Sequence, residues 1–219
     1  MKTEVITREI FTFEELSEDA KQRAIDNLRE INVNYEWWDM TYDNLRELAE
    51  MCNIAGFDIE GFDLDRAQSI ALSGSVDYAD LQSFARQPIK EDGYKLLDEL
   101  HKFAKSALIK NLCPAMRTVI ATTYAHGYRF ETGASYERTR YGCTDDTRVE
   151  TEANYEGTSE LMVEQTEECA EACSEFLEEF KNLAFKMLSD EFDYLYSDEA
   201  VREAIEANDY EFLENGELA

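Results

Sequence analysis

The stretch from Thr158 to Ser197 contains neither glycine nor proline, and no feature of the chain constrains its fold more. Such an uninterrupted run predicts one long helix that begins at Thr158, where a hydroxyl side chain can cap the first turn. One stripe of this helix is apolar at helical spacing: Cys169, Cys173, Phe176, Phe180, Ala184 and Met187. Another stripe consists of carboxylates alone: Glu164, Glu168, Glu171, Glu175 and Glu178. The pattern therefore predicts a helix with one buried and one acidic face.

The negative charge is concentrated at the two ends of the chain. Residues 1–60 carry 15 acidic and 6 basic side chains, residues 61–148 carry 12 of each, and residues 149–219 carry 22 acidic and 3 basic ones. Because 44% of the residues are hydrophobic, the chain has enough apolar material for a core. The net charge of −28 is thus expected on a folded surface, where it repels nucleic acid and attracts proteins that bind it.

A second amphipathic helix is predicted around the segment Asn34–Glu50, which holds both tryptophans of the chain. Its apolar positions step by three and four residues: Trp38, Tyr42, Leu45, Ala49 and Cys52. Its candidate partner-binding carboxylates occupy another face: Asp39, Asp43, Glu47 and Glu50. We expect the tryptophans to anchor this helix in a core, and the carboxylates to form a smaller version of the C-terminal acidic stripe.

The order of the remaining patterns predicts an α+β fold. We expect a mostly antiparallel sheet of four to five strands, packed with an N-terminal helical hairpin, a middle helix and the long acidic C-terminal helix. The strands are predicted over 54–66, 69–81, 117–138 and 146–156, and the middle helix over 93–110, ended by Pro114. Residues 1–156 would form an α+β core domain, and residues 157–219 an acidic helical region packed on it as one unit.

Two further features bear on the compartment. No apolar run approaches the ~18 residues of a membrane span, and the N-terminus lacks the apolar block of a signal peptide. Five cysteines, an odd number, indicate reduced thiols rather than a disulfide framework. We therefore expect a cytoplasmic protein that does not bind membranes.

Catalytic chemistry has weak support in the sequence. Pairs such as Asp39 with Asp43 could serve acid–base catalysis or bind Mg²⁺, but among 49 acidic residues such spacings arise by chance. His101 and His126 lack metal-like or triad-like neighbours, and the chain has no calcium loop, phosphate loop or zinc-protease motif. We predict no enzyme, no cofactor and no metal. A metal-dependent hydrolase or nuclease acting on a nucleotide signal stays as an alternative.

Arginines and tyrosines alternate in the otherwise neutral middle of the chain. They could stack on a nucleotide or on single-stranded nucleic acid, but we interpret them as solvent-side residues of strands, some paired with the acidic helices. The set comprises Tyr128, Arg129, Tyr136, Arg138, Arg140, Tyr141 and Arg148. No direct binding of nucleic acid is predicted.

The segments "FTFEELSEDAKQRAIDNL" and "YEWWDMTYDN", followed by "GFDLDRAQSIALSGS", resemble a family of small acidic proteins encoded by phages and prophages. The resemblance covers roughly residues 10–80 and implies a phage context. In that context, an extremely acidic folded protein resembles the anti-CRISPR and antirestriction inhibitors that imitate DNA. The resemblance implies a host partner, a CRISPR effector or restriction complex. A homodimer stays open, as does an antitoxin-like or structural phage protein that binds a basic partner.

Overall fold

The computed structural model describes residues 8–66, 68–88, 95–125, 132–137, 146–151 and 160–219. The chain divides into two compact units, one formed by Met1–Met40 with Leu188–Ala219 and the other by Thr41–Met187. The predicted boundary between residues 156 and 157 lies outside the described residues, and the two units divide the chain at other positions.

The first unit brings two short helices and a two-stranded sheet around a small core. Helices α1 (Glu18–Asn27) and α7 (Asp198–Ala207) belong to it. Strand β1 (Phe11–Thr12) pairs antiparallel with β6 (Glu211–Phe212). The core side chains come from both ends of the chain: Phe13, Leu16, Ala20, Ala24, Ile25, Val201, Ile205 and Phe212. Burial of these apolar side chains joins the two distant segments into one unit.

Serine caps begin both helices of the first unit. The hydroxyl oxygen of Ser17 accepts a hydrogen bond from the backbone N–H of Ala20, and that of Ser197 accepts one from Ala200. Each cap satisfies a backbone donor that the helix itself leaves unpaired. A serine followed by acidic residues in the first turn is the sequence signal for such a cap.

The sheet of the second unit is antiparallel, with its four strands in the order β2, β3, β4, β5. Strands β2 (Ala55–Asp63) and β3 (Ser69–Asp77) pair with one another along most of their length. Strands β4 (Thr132–Glu137) and β5 (Asp146–Thr151) lie within segments predicted as strands. Together with the helices, these strands confirm the predicted α+β class.

Helices supply the rest of the second unit. They are α2 (Asp39–Met51), α3 (Tyr78–Arg86), α4 (Lys95–Ala107), α5 (Pro114–Ala125) and α6 (Glu160–Leu195). The first two residues of α2 and the residues of α6 after Met187 belong to the first unit. None of the described helices combines the length and the apolar composition needed to cross a membrane.

The predicted strand over 69–81 extends too far. Strand β3 ends at Asp77, whose carboxylate accepts a hydrogen bond from the backbone N–H of Asp80 at 2.9 Å and caps α3. Tyr78 and Leu81 continue the apolar pattern because they stand three residues apart on the buried face of a helix. Over so few residues, the alternation of a strand and the spacing of a helix look alike.

The predicted strand from Arg117 to Ala125 is wrong, because these residues belong to α5. Threonine, valine and isoleucine favour strands locally, but Met116 and Ile120 are both buried at the four-residue spacing of a helix face. Pro114, expected to end a middle helix, stands instead at the first position of α5, where its missing N–H costs no hydrogen bond. The predicted middle helix over 93–110 is confirmed as α4, and α3 and α5 are two further helices that overlap segments predicted as strands.

The apolar stripe of α6 packs into the core of the second unit as predicted. The rings of Phe176 and Phe84 lie 5.8 Å apart between centroids, and those of Phe180 and Phe57 lie 5.4 Å apart. Of the six predicted stripe residues, five are buried and Met187 is partly exposed. The four described cysteines are free thiols, in agreement with the prediction: Cys52, Cys113, Cys169 and Cys173.

Candidate functional site

The predicted carboxylates of α6 lie on one face of a rigid helix; we call Glu164, Glu168, Glu171, Glu175 and Glu178 the acidic row. The first four are exposed, and Glu178 is partly exposed, with its carboxylate 3.9 Å from the ammonium group of Lys181. At ~100° per residue, the five positions fall within an arc of about 80°. The buried residues of α6 occupy the opposite side, so that the row faces solvent.

Buried polar side chains fix the rotation of α6 at the first turn of the acidic row. The side-chain oxygen of Gln165 accepts a hydrogen bond from the backbone N–H of Cys113 at 2.8 Å, and its nitrogen donates to the carbonyl of Asn111 at 3.0 Å. Thr166 donates its hydroxyl to the carbonyl of Met162. Because Gln165 is tied to the loop before α5, Glu164 and Glu168 are held outward.

Sequence reasoning missed the positioning role of Gln165. Gln165 lies four residues before Cys169, and therefore on the extension of the apolar stripe, where a polar side chain has to find hydrogen-bond partners. A polar residue at an apolar position of an amphipathic helix was the available signal.

The buried cysteines of the second unit are unreactive thiols. Burial, together with the negative charge of Glu168, raises the pKa of Cys169 to about 12. Burial likewise raises the pKa of Cys52 and Cys173 well above the ordinary value. Since the thiolate is the form that attacks electrophiles and binds metals, these thiols pack as small apolar groups.

The predicted carboxylates of α2 are also exposed: Asp39, Asp43, Glu47 and Glu50. Asp43 forms an ion pair with Arg46 at 2.9 Å, and the Arg46 guanidinium lies over the ring of Tyr42. The carboxylate of Asp43 is therefore partly neutralised by its own helix. On α2, the free negative charge is smaller than on α6.

The structure does not bring the two acidic sets onto one surface. Glu47 and Met51 of α2 line a small cavity, about 40 Å³ in volume, together with Met187 of α6. Met187 lies about 140° around the helix from Glu164. Helix α2 thus approaches α6 from a side away from the acidic row, and the row stands as a separate face.

The prediction for the tryptophans needs a correction. Trp37 is the buried one, at 9% exposure, and its ring centroid lies 5.6 Å from that of Phe192 in the first unit. Trp38, predicted on the apolar face, is partly exposed. Helix α2 begins only at Asp39, so helical spacing does not govern the two tryptophans.

His101 is a buried titratable group outside the acidic row. It is 6% exposed on α4, its ring meets that of Phe84 edge to face, and its Nε2 atom has no hydrogen-bond partner among the described residues. Burial, and then the charge of Lys105, lower the pKa of His101 below its ordinary value, while a hydrogen bond with the backbone of Gln87 and the Asp98 carboxylate oppose the shift. The folded protein therefore holds this imidazole in its neutral form at neutral pH.

Replacing His101 by phenylalanine is expected to flatten the pH dependence of stability between pH 7.5 and 5.5. In the parent, the unfolded chain binds a proton near the ordinary pKa of 6.5 while the folded chain resists it, so stability is lost as the pH falls. Urea unfolding of both proteins at the two pH values measures the change in the free energy of unfolding. The contributions of the carboxylates, which both proteins share, cancel in the comparison. Parallel curves for parent and variant would contradict the assignment.

No group of three or more His, Cys, Asp or Glu residues in the described part of the chain is arranged to hold a metal ion. The side chains of the Arg and Tyr zone between residues 128 and 148 lie outside the described residues, as does His126. The predictions for these residues stay predictions.

A family model described as a domain of unknown function, DUF8835, matches residues 37–198. The chain belongs to the DUF8835 family. The matched segment begins at the buried Trp37 and contains α2, the sheet and the whole acidic row. No curated protein and no solved structure matches the chain. Neither the DUF8835 match nor the described residues point to an enzymatic activity.

Proposed function

We propose that this protein binds a basic, nucleic-acid-binding protein by presenting the acidic row in place of DNA phosphates. The observation that carries the proposal is the exposure of four successive row carboxylates on a helix whose opposite side is buried. A charged face held in this way keeps its shape when a partner approaches. Little conformational entropy is lost on binding, which favours affinity.

The dimensions of the row support imitation of a DNA strand. From Glu164 to Glu178 the helix rises 14 residues, roughly 21 Å at ~1.5 Å per residue. Over that length one DNA strand presents about six phosphates at ~3.4 Å each. Glu167 and Glu179 flank the five row carboxylates, so the charge density on this face is comparable.

Energetics also favour a binding role over simple solubility. Like charges three and four residues apart on a helix repel by a few tenths of a kcal/mol per pair. A net charge of −28 exceeds the magnitude of ~2–8 that keeps a small domain soluble. Such a field would steer a basic partner toward the row and make association fast and sensitive to salt.

The biological setting follows from the resemblance to acidic phage proteins. A phage-encoded protein of this charge would act as an inhibitor of a bacterial defence system, either CRISPR or restriction. It would occupy the nucleic-acid channel of a nuclease complex in the cytoplasm of the host. The α2 carboxylates would make secondary contacts, with Asp43 contributing least because of its ion pair with Arg46.

The proposal is tested by capture from host lysate followed by competition with DNA. The immobilised protein should retain a basic nucleic-acid-binding protein at ~50 mM salt and release it at ~500 mM, as expected for charge-driven binding. Duplex DNA should then displace the purified partner in proportion to its concentration. A partner that binds DNA and this protein at the same time would overturn the imitation of DNA.

A further inference from the structure

A groove in the second unit carries positive charge on its described lining. It lies where the end of α3, the connection from α4 to α5, and α5 itself meet, and it encloses about 820 Å³. Three of its lining residues are cations, namely Arg86, Lys110 and Arg117, and its described lining contains no carboxylate. In a chain with 49 acidic and 21 basic residues, a randomly composed lining would hold more acidic than basic side chains.

The three cations of the groove come from α3, from the connection before α5 and from α5. Arg86, Lys110 and Arg117 are all exposed, and no ion pair joins any of them to a carboxylate in the described part of the chain. Three like charges around one cavity repel one another. An anion placed between them would relieve that repulsion and accept charge-assisted hydrogen bonds.

The remaining lining suits a ligand with one polar and one apolar part. Gln82, Ser83 and Gln87 offer hydrogen-bonding side chains along α3 and just beyond it. Ile109 and Ile120 supply an apolar wall from the opposite elements. Sites for small molecules combine apolar walls with polar groups that fix orientation, and they have volumes of about 300–1,000 Å³.

We propose that this groove binds a small phosphorylated ligand of the nucleotide class. The phosphate would lie between the cations, where the planar guanidinium groups of Arg86 and Arg117 can each donate two parallel hydrogen bonds. The base would lie against Ile109 and Ile120. This site is independent of the acidic row, and its failure would leave the proposed protein-binding function untouched.

Calorimetric titration of the full chain with AMP, ATP, inorganic phosphate and a glutamate-rich peptide tests the groove. The double variant Arg86→Gln with Arg117→Gln removes two cations, and Lys102→Gln with Arg202→Gln removes two exposed cations elsewhere. We expect a saturable response to a nucleotide at micromolar concentration. It should weaken at least about tenfold in the groove variant, since charge-assisted hydrogen bonds are lost, and stay unchanged in the control.

Three outcomes would overturn the proposal. The first is no response to either nucleotide up to millimolar concentration. The second is equal weakening in both double variants, which would indicate diffuse attraction by surface cations. The third is binding of inorganic phosphate, or of a glutamate-rich peptide, as tightly as a nucleotide. In that case the apolar wall is not used, and the groove takes free anions or an acidic protein segment instead.

Discussion

A variant in which Glu168, Glu171 and Glu175 are all replaced by lysine is expected to bind its basic partner at least ~100-fold more weakly. Each substitution turns an attraction into a repulsion at the centre of the acidic row, and juxtaposed like charges across an interface cost several kcal/mol. Ten-fold in affinity corresponds to ~1.4 kcal/mol, so the change lies well within that range. Titration of the purified partner at fixed salt measures the effect.

The lysine variant is expected to fold normally. All three positions are exposed, and lysine forms helices about as well as glutamate. The lysine introduced by Glu168→Lys would stand four residues after Glu164, and such a pair stabilises a helix by ~0.3–0.5 kcal/mol. A melting temperature equal to or above that of the parent would separate lost binding from lost structure.

A matched control distinguishes the acidic row from total charge. Glu30, Glu206 and Glu214 are exposed residues of the first unit, and reversing them to lysine changes the net charge by the same amount. The control should reduce the association rate modestly and leave most of the affinity. Equal losses in both triple variants would show that net charge, and not the row, governs binding.

Replacing Phe176 by alanine is expected to destabilise the second unit by ~3–5 kcal/mol. Phe176 is fully buried on the apolar stripe of α6, with its ring against that of Phe84. Removing the ring leaves a cavity that the surrounding side chains fill only in part. The free energy of unfolding from urea titration, monitored by circular dichroism, measures the loss.

Glu175→Ala is the neighbouring control for the phenylalanine variant. Its side chain is exposed, and removal should change the free energy of unfolding by no more than ~0.5 kcal/mol. A loss below ~1 kcal/mol for Phe176→Ala would mean that α6 is not anchored by its apolar stripe. The rigidity assumed for the acidic row would then be wrong.

The acidic row could be predicted from sequence because a long helix without breakers has a single period. Once α6 is helical, the positions of Glu164 and Phe176 on opposite faces follow from ~3.6 residues per turn. The same reasoning failed at Trp38, because the helix begins one residue later and the spacing does not extend into the preceding turn. Helix boundaries depend on local capping, which apolar spacing does not report.

The α5 segment and the groove show what local pattern cannot supply. A run of β-branched residues favours a strand, but burial of Met116 and Ile120 stabilises a helix, since tertiary packing overrides propensity. The groove's cations share no sequence motif, and Arg86 and Arg117 are 31 residues apart in the chain. Only folding brings them, with Lys110, around one cavity. Spacing along the chain carries no trace of such a site.

The buried thiols give this protein built-in reporters of its own opening. Cys52, Cys169 and Cys173 are fully buried and protonated, so a thiol reagent can modify them only when the surrounding structure opens. With Cys113 and Cys143 replaced by serine, the rate of thiol modification would report how often the second unit opens, without any added label. The same modification rate, measured with the partner bound, would tell whether binding at the acidic row, on the opposite side of α6, slows that opening.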